Sequence, residues 1–125
     1  MKINSKLIIK QNSKIATALK KIENNEQGAL IVIDNNNIVI GTLTDGDIRR
    51  CLIDGFKTSD LVIKAVNKNF IYATSKTTRD FILKALDMNK RLIPLIDNKK
   101  RLLDIYSKNN FVIDKKTKFT IHSRA

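Results

Sequence analysis

The sequence predicts an α+β fold made of two copies of one unit that runs strand, helix, strand, strand, helix. Three observations predict it. The stretch ALIVIDNNNIVIGTLTDGD, Ala29 to Asp47, lies without a gap on LIPLIDNKKRLLDIYSKNN, Leu92 to Asn110, at a constant offset of 63 residues that carries Asp34 onto Asp97 and Thr44 onto Ser107. The same offset lays Ser13 to Asn25, a segment with helical apolar spacing, over Lys76 to Met88. Each of these segments is followed by two short apolar runs around a polar turn, the pattern of a hairpin.

Taken in order, the first helix has Ser13 as a candidate N-cap, with Ile15, Ala18, Leu19 and Ile22 forming one apolar face. In its counterpart Thr77 and Asp80 have capping-box spacing, and Phe81, Ile82, Ala85 and Leu86 supply the face. The turns fall at Asn35 to Asn37 and at Asn98 to Lys100, where Asn tolerates the left-handed backbone that tight turns require. After the first hairpin Thr44 or Asp45 can cap a helix with Ile48, Cys51 and Leu52 turned inward and Gly55 at its end. Ser59 can cap a short connecting helix within Thr58 to Asn67, and Pro94 fits a strand start or an edge. The division expected is a first motif at residues 1–57, a second with the connecting helix at 58–110, and a linker at 111–125. A unit with one thin apolar face needs a cover, and its duplicate can supply it.

Composition narrows the function. A chain of 125 residues with 42% hydrophobic and 29% charged residues can bury a core without disulfide or metal. The single cysteine, Cys51, reads as a buried apolar residue. No apolar run reaches the length of about 20 residues that spans a bilayer, and the start MKINSKLIIK has too short a hydrophobic stretch for a secretory signal, so a cytoplasmic location with no membrane partner is expected. The formal net charge of +12 permits a small basic nucleic-acid-binding protein as the alternative reading. Against it, the lysines are scattered, the one dense run (Lys115 to Lys118) lies in the tail, and no aromatic stacking platform is evident. A positive field still attracts a small phosphorylated ligand.

The string GTLTDGDIRR, Gly41 to Arg50, leaves a strand and enters a helix, gathering amides, a hydroxyl and two carboxylates at one helix start. Thr44 can donate to a phosphate, Asp47 can accept ribose hydroxyls, Asp45 stands beside them, and Arg49 or Arg50 can add charged contacts. The competing reading is structural: Thr44 and Asp45 cap the helix, and Asp47 suits its first turn. No catalytic set is present. Asp45 and Asp47 lack further metal ligands, and the only histidine, His122, has no acid or nucleophile near it in the sequence, so no metal and no required cofactor are expected.

The repeat order and GTLTDGDIRR resemble a pair of CBS domains, or Bateman module, most of all the pairs attached to bacterial sugar-phosphate isomerases and sugar nucleotidyltransferases; the similarity covers Leu7 to Asn110. The resemblance implies a non-catalytic regulatory module of two βαββα motifs about a pseudo-twofold axis, which binds AMP, ADP, ATP or a related nucleotide and forms a homodimer. It also implies that Thr44 is the phosphate-contacting hydroxyl and Asp47 the ribose-binding carboxylate. The second copy departs from the pattern. Ser107 keeps the hydroxyl, but Asn110 replaces the aspartate and Asp104 stands in the place of Gly41, so the first copy is expected to hold the better site. The closing residues IHSRA, Ile121 to Ala125, resemble the opening strand of GHMP-type sugar kinases, heptose-phosphate kinases in particular. An attached sugar kinase or nucleotidyltransferase domain is therefore the expected partner.

Overall fold

The computed structural model describes residues 4–88 and 90–108, in two compact units, one of Asn4–Phe70 and one that begins at Ile71. The first contains β1 (Ile8–Lys10), α1 (Ile15–Asn25), β2 (Ala29–Ile33), β3 (Val39–Thr44) and α2 (Asp45–Ile53), with short 3-10 turns at Ser5–Leu7 and Val62–Lys64. Its sheet has the order β1-β2-β3, the first pair parallel and the second antiparallel. The second contains α3 (Arg79–Asp87) and the antiparallel pair β4 (Leu92–Ile96) and β5 (Leu102–Ser107). The α+β class is as the sequence predicts. Among the described residues no helix is long and apolar enough to cross a membrane.

The two hairpins repeat each other pair by pair. Ala29 faces Thr44 as Leu92 faces Ser107, Leu30 faces Leu43 as Ile93 faces Tyr106, and the register slips at Val32/Ile33 as it does at Leu95/Ile96. Both turns are built around an aspartate. Asp34 Oδ1 accepts from the Asn36 and Ile38 amides at 2.7 and 3.0 Å, and Asp97 Oδ1 accepts from those of Lys99 and Arg101 at 2.8 and 2.9 Å. Asn37 and Lys100 take the left-handed position, φ 65° and 66°. Lysine there shows that the aspartate clamp can hold a residue less suited than Asn to that conformation.

Upstream of the hairpins the offset is 64, since the helix caps are Lys14 and Thr78. The expected gap-free match through the helices is thus corrected: the span from helix cap to strand is one residue shorter in the second copy, where α3 has 9 residues against 11 in α1. The buried pairs follow this shift, with Ala18 and Ile22 matching Ile82 and Leu86, while Phe81 is 47% exposed and Leu19 lies at the margin of its face.

The caps also differ from expectation. Ser13 does not cap α1; the Ile15 and Ala16 amides donate to the backbone carbonyls of Asp60 and Thr58, at 2.9 and 3.0 Å. Those acceptors come from far along the chain, so no local signal could reveal them. On α3 the cap is Thr78, whose Oγ1 accepts from Phe81 N at 3.2 Å, while Thr77 Oγ1 accepts from Thr74 N at 2.9 Å and stabilises the preceding turn. The segment Val62–Lys64 is a 3-10 turn with Leu61 in the cap position and no side-chain cap, so Ser59 does not serve there. The end of α2 is as expected: Gly55, φ 104°, donates to Leu52 O and Phe56 donates to Cys51 O, both orphan carbonyls of the last turn.

Pro94 is not at a strand start; it sits in the middle of β4, an edge strand of the two-stranded sheet as the sequence allows, and its side chain is fully buried. Its carbonyl accepts from Ala73 N, so its nitrogen faces the same side and has no hydrogen to offer the incoming chain there. The strand that would match β1 is reduced to a single parallel bridge, Ala73 with Leu95.

Each unit has its own core. Ile15, Ala18 and Ile22 of α1 pack with Leu30, Val32, Leu43, Ile48, Cys51 and Val62, and Ile82, Ala85 and Leu86 of α3 pack with Ala73, Ile93, Leu95 and Tyr106. Burial of side chains of this size contributes roughly 1.5 to 3 kcal/mol each. Cys51 is a buried free thiol, as the sequence suggested; burial pushes its pKa up, and the carboxylates of Asp54 and Asp60 push in the same direction. Lys21 and Asn25, one turn apart on α1, fasten the N-terminal segment. The Lys21 ammonium donates to Ser5 O and Ile8 O, and Asn25 Nδ2 donates to Lys6 O and Ala29 O. Part of the basic composition is therefore structural.

Candidate functional site

β3 buries Val39, Gly41 and Leu43, of which Leu43 joins the core of the unit, and its last residue, Thr44, becomes the N-cap of α2. Ile48 and Cys51 anchor that helix, which leaves the first turn half-buried and Arg49 and Arg50 exposed. Thr44 and Asp47 form a complete capping box. Thr44 Oγ1 accepts from the Asp47 amide at 3.1 Å, and Asp47 Oδ2 accepts from the Thr44 amide at 2.9 Å. The other oxygen, Oδ1, accepts from Arg50 Nη2 at 2.6 Å in an ion pair one turn along the helix.

The remaining amides of the first turn are also engaged. Asp45 N donates to Gly28 O at 3.2 Å, and Gly46 N donates to Asp45 Oδ1 at 2.8 Å. The open set of helix-end amides expected for an anion is therefore not what the start of α2 offers. What it does offer is the Thr44 hydroxyl hydrogen, since that oxygen acts here as an acceptor, together with the Asp47 carboxylate and the two arginines. Sequence reasoning divided the cap between Thr44 and Asp45 and overlooked that Thr44-x-x-Asp47 has capping-box spacing, which was the signal available.

Behind this turn Gly41 allows a close approach. A Cβ there would lie 2.3 Å from Asn67 O and 2.9 Å from Val66 Cγ2, far inside contact distance, because Thr42 and Asn67 exchange backbone hydrogen bonds of 3.1 and 2.8 Å beside it. In the second copy this place belongs to Asp104, buried at 4% exposure, with Oδ1 accepting from Ile105 N at 2.8 Å. Ser107 is likewise buried and holds the position in β5 that Thr44 holds in β3. The sequence places Thr44, Asp45, Asp47, Arg49 and Arg50 together, and the structure gathers all five on the first turns of one helix. Asn110, His122, the run Lys115 to Lys118, the linker at 111–125 and the closing IHSRA lie outside the described residues.

Comparison with known proteins gives this geometry a family context. An uncharacterized protein of Helicobacter pylori (strain J99) is 26% identical over 105 residues, a match that covers 78% of this chain and 30% of that protein. The chain thus spans less than a third of the length of its curated relative. Among solved structures, CBSX2 in complex with AMP superposes with a TM-score of 0.76 at 21% identity, covering 94% of this chain and 92% of that one. A CBS domain pair/ACT domain protein from Thermotoga maritima superposes with a TM-score of 0.70 at 17% identity, covering 90% and 89%. Residues 3–54 match the family model of the CBS domain, and the chain has the fold of the solved CBS-domain pairs.

Proposed function

We propose that this chain is a regulatory module that binds an adenosine nucleotide or a related phosphorylated nucleoside through the turn from β3 into α2 and controls an attached enzyme of sugar metabolism. The observation that carries the reading is the Thr44 and Asp47 pair, fixed at the start of α2 in the segment that matches the CBS domain. Thr44 can donate its hydroxyl hydrogen to a phosphate oxygen without giving up its cap, and Asp47 can accept from a ribose hydroxyl. The AMP carried by CBSX2, a structure of the same fold, supports a nucleotide as the ligand. Ser107 and Asn110 would form the weaker counterpart in the second copy.

The attached enzyme is a sugar kinase or a sugar-phosphate nucleotidyltransferase, as the two resemblances read from the sequence suggest, and the module itself turns over no substrate. Assembly as a homodimer in the cytoplasm belongs to the same reading.

A ligand that binds only the folded chain raises its melting temperature by mass action. Saturating AMP, ADP or ATP is expected to raise it, and Asp47→Ala to remove most of the shift. If no adenine nucleotide moves the melting temperature, the nucleotide reading is wrong.

A further inference from the structure

Among the described residues the Arg50 side chain is held by Asp47 alone, in the turn where the nucleotide is proposed to bind, and three features of that turn give this contact a consequence. First, the amides of Asp45, Gly46 and Asp47 already have acceptors at 3.2, 2.8 and 3.1 Å, so a phosphate meets no open amide among them. Second, Asp45 and Asp47 put two carboxylates into the first turn, which repel an anion. Third, Asp47 Oδ1, the oxygen not tied to Thr44, is the one that the Arg50 guanidinium occupies.

We infer that Arg50 is a displaceable counter-ion of Asp47 and that its displacement makes the site prefer phosphorylated nucleosides to unphosphorylated ones; this rests on the proposed reading of Thr44 and Asp47. The Arg50 side chain is 71% exposed against 11% for Asp47, so the pair is screened by water on the arginine side and opens at small cost, about fivefold in affinity at most. Its guanidinium lies over Gly46, where a Cβ would sit 3.6 and 3.9 Å from its two terminal nitrogens. The absent side chain leaves it room to rotate. A ribose that hydrogen-bonds Oδ1 releases the guanidinium beside the ligand, and its donors then match a phosphate in bidentate fashion. Adenosine must displace Arg50 and offers it no new anion. AMP displaces it and supplies one.

Calorimetric titration of wild type, Arg50→Ala and Arg50→Lys with AMP and with adenosine tests this. Arg50 is exposed, so its loss is not expected to unfold the chain, and melting curves of the variants check that. Arg50→Ala is expected to weaken AMP about tenfold, the scale of one charged hydrogen bond, while adenosine binds as well as before or up to about fivefold tighter. Arg50→Lys keeps most of the preference for AMP. If Arg50→Ala changes both affinities by the same factor, or the preference for AMP survives it, the role given to Arg50 is overturned. Wild-type protein that binds neither ligand overturns the nucleoside reading, and the Arg50 role with it.

Discussion

Thr44 and Asp47 cap each other: the hydroxyl oxygen of the first accepts from the amide of the second at 3.1 Å, and the carboxylate of the second accepts from the amide of the first at 2.9 Å. The two residues proposed to meet a nucleotide thus also hold the start of α2. A substitution at either acts on both binding and folding.

Thr44→Val removes the side-chain acceptor and keeps the shape, so the domain is expected to lose about 1 kcal/mol by urea denaturation. Thr44→Ser retains the oxygen and loses much less. Asp47→Asn keeps an acceptor for the Thr44 amide but gives up the ion pair with Arg50; its stability should stay within about 1 kcal/mol of wild type. Equal losses for Thr44→Val and Thr44→Ser would mean that the cap contributes nothing.

Gly41 and Gly46 make a matched pair for a backbone test. A methyl group at Gly41 meets Asn67 O at 2.3 Å, a backbone atom that moves only if the Thr42 and Asn67 bridge breaks, so Gly41→Ala is expected to cost about 2 kcal/mol or more. At Gly46 the nearest atoms are 3.6 Å away, and the residue lies in the first turn of α2. Gly46→Ala is expected to be neutral or stabilising by up to about 1 kcal/mol. Chemical denaturation of the two variants side by side decides the matter; comparable destabilisation by both would contradict the close approach at Gly41.

The Asp97 turn carries a pH signature. The Arg101 amide above all, with the Arg101 guanidinium and the Lys99 amide, holds the Asp97 carboxyl below its ordinary value of 3.8, against a smaller opposing effect of desolvation. A depressed folded pKa gives stability that is present above the unfolded value and lost as pH falls through the folded one. Wild type should therefore lose stability below about pH 4 more steeply than Asp97→Asn, which cannot ionise. Urea midpoints measured from pH 5 downward test this, and parallel acid slopes would refute it.

The hairpins were legible because their pattern is local. The short apolar runs, the two aspartate turns and the offset of 63 from Ala29/Leu92 onward are all written in neighbouring residues, and the register slip, which the sequence did not announce, recurs at the same offset. The helix starts were less legible. Thr77 and Thr78 are both good caps, and the choice went to Thr78 because Thr77 is spent on Thr74 N. α1 has no side-chain cap at all. The candidate residues around Thr44 were found as a group, but which oxygen answers which amide depends on side-chain directions that spacing leaves open, and so the ion pair of Asp47 with Arg50 came only with the structure.

The carbonyls of Thr58 and Asp60 that complete the start of α1 also place that helix in time. During synthesis Ile15 waits for Asp60, 45 residues later in the chain, before its amide has the partner seen in the folded protein. At elongation rates of roughly 5 to 20 residues per second that interval is about 2 to 9 s, far longer than a helix takes to form. The first turn of α1 therefore emerges frayed, and a nascent chain stopped at Lys57, before either carbonyl, would keep it so.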